Sequence, residues 1–206
     1  MTRHKINPQE VIANREHYLK KIEHYKKFGF DHEKARDNII QNMLHHDIKN
    51  ILEIGTGKGY LTKELAKKFN HVITIDKDKN SQKIALLNAA YAQVTERIDF
   101  ETADAEKLDY ADYSFDAVIS AFTFHHLKEP FKAIDEMIRV TKGLLIISDF
   151  NKNGFAILDK AHQSEGGTHE KENNDFDKLE NYLKEKGFSI TKKEDEWQEI
   201  IIAKRS

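Results

Sequence analysis

Short apolar runs alternate along this chain with segments in which apolar residues recur at helical spacing. The runs are typical of buried strands, and the periodic segments indicate helices that each cover one apolar face. Strands alternating with helices through five units predict a mainly parallel sheet covered on both faces. Two further runs joined by a charged turn predict an antiparallel hairpin at the end. The predicted strands cover residues 51–54, 71–75, 98–102, 117–121, 144–150, 188–191 and 197–203.

Residues 7–46 precede the first strand and have helical spacing with one break. Asn7 followed by proline predicts the first helix start, and Asp31 predicts a second cap after the Phe-Gly-Phe break. The aromatic residues Tyr18 and Tyr25 then pack on the main domain or, alternatively, close over a ligand pocket. Further along the chain, Asn80 is a candidate cap. Gly143 is expected to stop the helix that Pro130 starts.

Residues 151–175 form a long polar stretch that we expect to be an irregular, functional loop. Together with the N-terminal helices, this stretch is expected to form the lid of an acceptor pocket. It contains His162, His169 and Glu170, whose spacing matches no metal-ligand motif, so no metal site is predicted.

Composition excludes several classes of protein. The chain has 206 residues, a formal net charge of −2 and no cysteine. One domain with a small extension is therefore expected, without disulfides or a thiolate nucleophile. The balanced charge predicts no electrostatic binding to nucleic acid or to an anionic membrane. The start of the chain is polar and no apolar run reaches membrane-spanning length, so we expect a soluble, cytoplasmic protein.

The first strand ends in a glycine-rich turn that carries the clearest chemical signal. Glu53 is followed by glycine at three alternate positions, Gly55, Gly57 and Gly59, and helical spacing resumes from Leu61. Glycine reaches positive φ without a Cβ clash and lets the backbone approach a ligand closely. A strand, a glycine turn and a helix N-terminus in succession point to a nucleotide-like ligand.

Acidic residues follow the next two strands. Asp76 ends the second strand about twenty residues beyond Gly55, where open α/β folds place an acid that holds ribose hydroxyls. Asp78 is the nearby alternative, and Asp104 follows the third strand. Asp76 and Asp104 could each instead cap a helix or a turn, but their placement at successive strand ends favours ligand binding.

The complete pattern resembles the class I S-adenosylmethionine-dependent methyltransferases from about residue 31 to the end of the chain. The resemblance rests on the segments 53–59, 76, 104–105, 114–120, 125–127 and 136–143 in the family's order. It departs where the usual Lys-Pro-Gly-Gly is shortened to Lys142-Gly143, and where Lys77 replaces a residue that is often apolar.

The resemblance implies a Rossmann-like, doubly wound seven-stranded α/β sheet in the order 3-2-1-4-5-7-6 with strand 7 antiparallel. It also implies an N-terminal helical extension over residues 1–46, a catalytic domain over residues 47–206 and S-adenosylmethionine as cofactor. The cofactor-binding residues that it implies are Glu53, Gly55, Thr56, Gly57, Gly59, Asp76, Lys77, Asp104, Ala105, Ala121 and Phe122. Glu53 could alternatively only tie down the glycine loop.

Methyl transfer from a sulfonium needs chiefly the positioning of the acceptor, and a base only where the acceptor is protonated. His125 and His126 leave the fourth strand near the family's acceptor site, and His126 is the better candidate base. Each could instead be a packing or capping histidine.

The acceptor itself is not named by the sequence. Ser120-Ala121-Phe122-Thr123 lacks the Asn/Asp-Pro-Pro motif of amino-group methylation on nucleobases, and cytosine C5 methylation requires a cysteine. A small molecule is the expected acceptor, with a protein side chain as an alternative.

Three other functions are less consistent with the sequence. A nicotinamide-dependent oxidoreductase would need glycine at Tyr60. A non-catalytic cofactor-binding or scaffold protein of the same fold remains the main alternative. An aminopropyl transferase would need acids after the glycine loop and the fourth strand that this chain lacks.

Overall fold

The computed structural model describes residues 6–167 and 176–205. Their strands form one seven-stranded sheet in the order β3-β2-β1-β4-β5-β7-β6. Pairing is parallel throughout except along β7, which runs antiparallel to both of its neighbours. The predicted fold class and strand order are therefore confirmed. The strands are β1 Ile51–Ile54, β2 Val72–Asp76, β3 Ile98–Thr102, β4 Phe115–Ala121, β5 Thr141–Phe150, β6 Phe188–Glu194 and β7 Gln198–Arg205.

Helices cover both faces of this sheet. They are α1 Pro8–Lys27, α2 His32–Ile40, α3 Tyr60–Lys68, α4 Lys79–Tyr91, α5 Pro130–Val140, α6 Lys152–Ser164 and α7 Phe176–Glu185, with short 3-10 turns at Thr95–Arg97 and Phe124–His126. As predicted, Asn7 caps α1 and Asp31 caps α2. No helix in the described ranges has the length and apolar character that crossing a membrane requires.

Strand alternation divides the core into two layers. Leu52 and Ile54 of β1 point into an apolar cluster with α5 and α7. Ile51, on the opposite face, packs in a second cluster that includes Ile39 of α2 and Leu65 of α3. The central strands are buried on both faces, which explains why they read as nearly continuous apolar runs. The carboxyl ends of the parallel strands consequently meet at one edge, beside the helices that follow them.

The interpretation of residues 151–175 as an irregular loop is wrong for residues 152–164, which form α6. Asn151 caps this helix by accepting a hydrogen bond from the Gly154 N–H at 2.8 Å. Leu158 and Ala161 are buried against Tyr25 of α1. Polar residues surround these few apolar positions, so the helical period is weak in the sequence. Residues 168–175, which include His169 and Glu170, lie outside the described residues.

Two predicted boundaries need correction. Gly143 does not stop α5, because the helix ends at Val140 and Thr141 is already extended. Gly143 instead follows the start of β5, where the pairing with β4 shifts register by one residue between Thr141 and Leu144. At α4 the cap is Asp78 rather than Asn80, because the Asp78 carboxylate accepts the backbone N–H of Asn80 at 3.0 Å.

Candidate functional site

A cavity of about 570 Å³ opens at the carboxyl ends of β1, β2 and β4 and beside the turn after β3. This volume suits a small organic ligand. The predicted site residues that line it are Glu53, Gly55, Thr56, Gly57, Asp76, Lys77, Asp104, Ala105, Ala121, Phe122 and His126. Gly59 and His125 are not among the lining residues. Topology therefore brings together residues that the sequence spreads over more than seventy positions.

The glycine turn after β1 adopts backbone conformations that require glycine. Gly55, Gly57 and Gly59 have φ values of +84°, +48° and +70°. A Cβ on Gly55 would overlap the side chain of Thr123, whereas a Cβ on Gly57 would meet nothing within 4 Å. The open space beside Gly57 leaves its backbone accessible from the cavity. At Gly59 the close neighbour is Ala85 of α4, so that glycine serves helix packing.

Glu53 is buried at the end of β1. Its Oε2 accepts hydrogen bonds from the hydroxyls of Thr62 at 2.5 Å and Thr74 at 2.6 Å. Burial raises the pKa of Glu53 to about 7, although these hydroxyls and the Arg36 charge oppose the rise. Glu53 thus joins α3 to β2 at the cavity wall, which is compatible with both interpretations of this residue.

The two strand-end acids face the same cavity with different backbone partners. Asp76 is half-buried, and its two oxygens accept the N–H groups of Gly57 at 2.7 Å and of Asp78 at 2.8 Å. Asp104 is exposed in a turn and accepts the N–H of Glu106 at 3.0 Å. Each carboxylate oxygen has a second lone pair with which it can accept a ligand hydroxyl or amine. Asp78, the alternative ribose acid, caps α4 and lies outside the cavity lining.

Phe122 occupies a strained position directly after β4. Its φ of +55° lies in the left-handed region, which costs a non-glycine residue about 1–2 kcal/mol. The strain is held by a hydrogen bond from its N–H to the Ser148 carbonyl at 2.9 Å and by its ring on Phe150, 4.4 Å between centroids. This conformation places Phe122 in the cavity wall.

The two adjacent histidines have different environments. His125 is buried, with Nδ1 2.6 Å from Asp149 Oδ1 and its N–H donating to Asp149 Oδ2 at 2.8 Å. His126 is exposed and lines the cavity. Of the two predicted catalytic candidates, only His126 is therefore placed to reach a ligand there. The sequence analysis did not select Asp149, because a single acid within an apolar strand is not by itself a sign of function. The available signal was its position near the carboxyl end of the strand.

The N-terminal helices contribute residues that sequence reasoning did not select. Arg36 of α2 lines the cavity, and its guanidinium carbon lies 5.2 Å from the centroid of the Tyr60 ring. Tyr60 lines the cavity too, and burial raises its pKa to about 12. Tyr18 and Tyr25 are buried without lining the cavity, in agreement with packing. The sequence signal for Arg36 was only its place on the helix before the glycine strand.

His162 lies in α6, and the described ranges contain no cluster of three or more side chains able to hold a metal ion.

Comparison with known proteins identifies a domain over this site. A family model described as a methyltransferase domain matches residues 52–147, from β1 into β5. The ubiquinone/menaquinone biosynthesis C-methyltransferase UbiE of Pseudomonas fluorescens is 32% identical over 123 residues. That match covers 55% of this chain and 46% of the relative, so the chain spans about half the length of the curated relatives it matches.

Solved structures share the fold at low identity. A SAM-dependent methyltransferase from Aquifex aeolicus has a TM-score of 0.63 and 21% identity, covering 98% of this chain and 100% of its own. The magnesium protoporphyrin IX methyltransferase ChlM of Synechocystis, with bound SAH, has a TM-score of 0.67 and 20% identity. That similarity covers 85% of this chain and 83% of the other. The Aquifex similarity extends through the N-terminal helices as well as the sheet.

Proposed function

We propose that this chain is a class I S-adenosylmethionine-dependent methyltransferase and that it transfers a methyl group from that cofactor to a small-molecule acceptor. The observation that carries the proposal is the cavity in which Asp76 and Asp104, from two strand ends, meet the glycine turn. An acid for ribose, an acid for adenine and an open glycine backbone are the groups that such a cofactor requires.

Each part of the cofactor is assigned to the cavity residue whose chemistry matches it. We assign the ribose hydroxyls to Asp76, whose backbone partners hold the carboxylate in place. We assign the exocyclic amine of adenine to Asp104 and a ring nitrogen to the N–H of Ala105. Glu53 and the turn through Gly57 take the amino-acid end. Lys77 is exposed at the cavity, where its aliphatic stem can cover the adenine ring.

The protein's main contribution to the reaction is the positioning of two reactants. The cofactor, when bound, supplies a methyl group on a sulfonium that is already an activated leaving group. The cavity walls hold an acceptor nucleophile in line behind that methyl, which converts an encounter into an effectively unimolecular step. His126, exposed at the cavity, accepts a proton where the acceptor nucleophile carries one.

A small-molecule acceptor is supported by the relatives. One is named for C-methylation in ubiquinone and menaquinone biosynthesis and another for methylation of magnesium protoporphyrin IX. We propose that α1, α2 and α6 cover the acceptor side, because the cluster to which they contribute Tyr25, Ala35 and Leu158 packs against Phe122 in the cavity wall.

Binding is tested by calorimetric titration with S-adenosylmethionine, S-adenosylhomocysteine and NAD side by side. We expect binding of the first two and none of NAD. Asp76→Ala should weaken the first two by about tenfold or more, because charge-assisted hydrogen bonds contribute on the order of 1.5–3 kcal/mol. Asp78→Ala is the matched control, since Asp78 is a helix cap outside the cavity. Unchanged affinity in Asp76→Ala would reject the ribose assignment.

Turnover is tested with methyl-labelled cofactor and a panel of quinol, phenol and carboxylate acceptors. We expect His126→Ala to reduce label transfer while leaving the affinity for S-adenosylhomocysteine unchanged. Wild-type turnover in that variant would remove His126 from the mechanism. Tight cofactor binding without transfer to any acceptor would favour the non-catalytic, cofactor-binding alternative.

A further inference from the structure

Arg36 is a cation in the cavity wall. Within the described ranges it forms no salt bridge, whereas Arg139 pairs with Glu136 and Asp112. The other cations in the lining, Lys58, Lys77 and Lys128, are exposed, but Arg36 is only partly accessible. A desolvated charge without a counter-ion is costly, so the position of Arg36 at a cavity points to an anion supplied by a ligand.

The side chain of Arg36 is held in place from two directions. Its Nη1 donates to the His32 carbonyl oxygen at 2.8 Å and lies 3.1 Å from His32 Nδ1. Its guanidinium carbon lies 5.2 Å from the centroid of the Tyr60 ring and 5.5 Å from that of Phe122. No hydrogen bond in the described part of the chain uses Nε or Nη2. The protein therefore orders the guanidinium of Arg36 and leaves its Nε and Nη2 donors available to a ligand.

The groups around Arg36 leave it as the fixed positive charge of this wall. Burial lowers the pKa of His32 well below its usual value, so the imidazole stays neutral and accepts from Arg36. Tyr18, Tyr60, Glu53 and Glu64 are the acidic groups that face Arg36. Burial raises the pKa values of Tyr18 and Tyr60, so both are neutral at physiological pH, and Glu53 titrates near neutrality. Glu64 forms a salt bridge with Lys67 at 2.9 Å, so none of the four is a full counter-ion of Arg36.

We propose that Arg36 is a carboxylate-binding residue of this cavity. Two N–H donors on a planar guanidinium match the two oxygens of a carboxylate in a bidentate pair. This proposal rests on the proposed function, which offers two sources of the carboxylate: the amino-acid end of the cofactor or a carboxylate on the acceptor. Both sources require the same chemistry at Arg36, and ligands that carry the carboxylate on the nucleoside or on a separate molecule distinguish them.

The first experiment compares two nucleoside ligands by calorimetry. S-adenosylhomocysteine carries the amino-acid carboxylate, and 5′-methylthioadenosine lacks the amino-acid end. If the cofactor is the source, Arg36→Met weakens the binding of S-adenosylhomocysteine by about tenfold or more and the binding of 5′-methylthioadenosine by less than twofold. Retained affinity for methylthioadenosine also shows that the variant is folded with its nucleoside site intact. Arg36→Lys keeps the positive charge but loses the bidentate pair of donors. Its affinity for S-adenosylhomocysteine should therefore lie between those of wild type and Arg36→Met.

The second experiment titrates benzoate into the protein alone and into protein saturated with S-adenosylhomocysteine. If the acceptor is the source, wild type binds benzoate beside the cofactor product, and Arg36→Met loses that binding without losing product affinity. Arg15→Met is the matched control, because Arg15 stacks between Tyr18 and Tyr91 outside the cavity lining. It should leave every affinity unchanged.

The outcomes separate this proposal from the proposed function. Equal affinities of wild type and Arg36→Met for every carboxylate ligand would overturn the role of Arg36, even if the cofactor binds. A wild-type protein that binds neither nucleoside ligand would overturn the cofactor assignment. In that case the benzoate titration of the protein alone still decides whether Arg36 binds a carboxylate.

Discussion

At the residue scale, the site combines groups whose properties depend on burial. Glu53 is an acid with only 2% of its surface exposed, and it lies in the wall of the cavity. Phe122 is held in a left-handed conformation at the same cavity. Both residues cost stability, and such costs concentrate at functional sites because the surrounding structure enforces them. The strained and desolvated positions therefore support the location of the site independently of any motif.

Glu53 predicts a pH-dependent stability. Its folded pKa of about 7 lies above the ordinary value of 4.5, so the folded state keeps a proton that the unfolded state releases between these values. The stability contribution of this proton is present below about pH 4.5 and is lost as pH rises to about 7. Glu53→Gln removes this titration. The unfolding free energy of the variant minus that of wild type should therefore increase by on the order of 1–3 kcal/mol from pH 5 to pH 8.

Urea unfolding of both proteins at pH 5 and pH 8 measures this difference. Asp78→Asn is a suitable control, since that acid is exposed and outside the cavity. A difference between wild type and Glu53→Gln that stays constant with pH would contradict the raised pKa.

At the element scale, α6 is the largest departure from the sequence prediction. Its first turn lies against the turn before β7, where a Cβ on Gly154 would overlap the Trp197 carbonyl oxygen and lie 2.9 Å from Phe150 Cδ1. Lys21 of α1 and Glu165 form a salt bridge at 2.5 Å near the other end. The position of α6 is therefore determined by elements distant in sequence, and the apolar period within the helix contributes less.

Gly154→Ala should displace α6 from this contact. Because the obstacle is backbone, we expect a loss of about 1–3 kcal/mol in the free energy of unfolding and faster amide exchange across residues 152–164. Gly143→Ala is the matched control: a Cβ there meets nothing within 4 Å, so no comparable loss is expected. Similar stability and exchange in both variants would show that α6 does not depend on close packing at Gly154.

At the scale of the whole molecule, the N-terminal helices differ in how they join the sheet. Ile39 of α2 and Met43 just beyond it belong to the same apolar cluster as β1, β4 and β5. The only buried residues of α1 are Tyr18 and Tyr25, and its other links include a hydrogen bond from Asn14 to Asn88 of α4 at 2.9 Å. The proposed division of the chain at residue 46 would separate α2 from a core that it shares.

Hydrogen exchange measured by mass spectrometry tests this difference. We expect amides of α2 to exchange only through global unfolding, with the same opening free energy as β4. Amides of α1 should exchange through a cheaper opening, because fewer apolar contacts are lost when that helix detaches. Equal protection of α1 and β4 would contradict the expectation, and weak protection of α2 would favour the boundary at residue 46.

Much of the fold was predictable because its signals are local. Apolar runs and helical periods located all seven strands, and the right-handed crossover of parallel units limits their arrangement. The errors at Gly143 and at residues 152–164 arose where a long-range contact outweighed local preference. Gly143 lies at the register shift between β4 and β5 instead of at a helix end. Burial against α1 stabilises α6, although that helix has few apolar residues.

The sequence by itself determined the class of fold, the glycine turn and the acids at two strand ends. Those features follow from residue type and spacing, and the carboxyl ends of parallel strands necessarily share one edge. Only the tertiary structure decided that His126 rather than His125 lines the cavity, since Asp149, distant in sequence, holds His125 in the interior. It also brought Arg36 to the same cavity, because the burial of α2 on the sheet, rather than any local pattern, sets where that side chain lies.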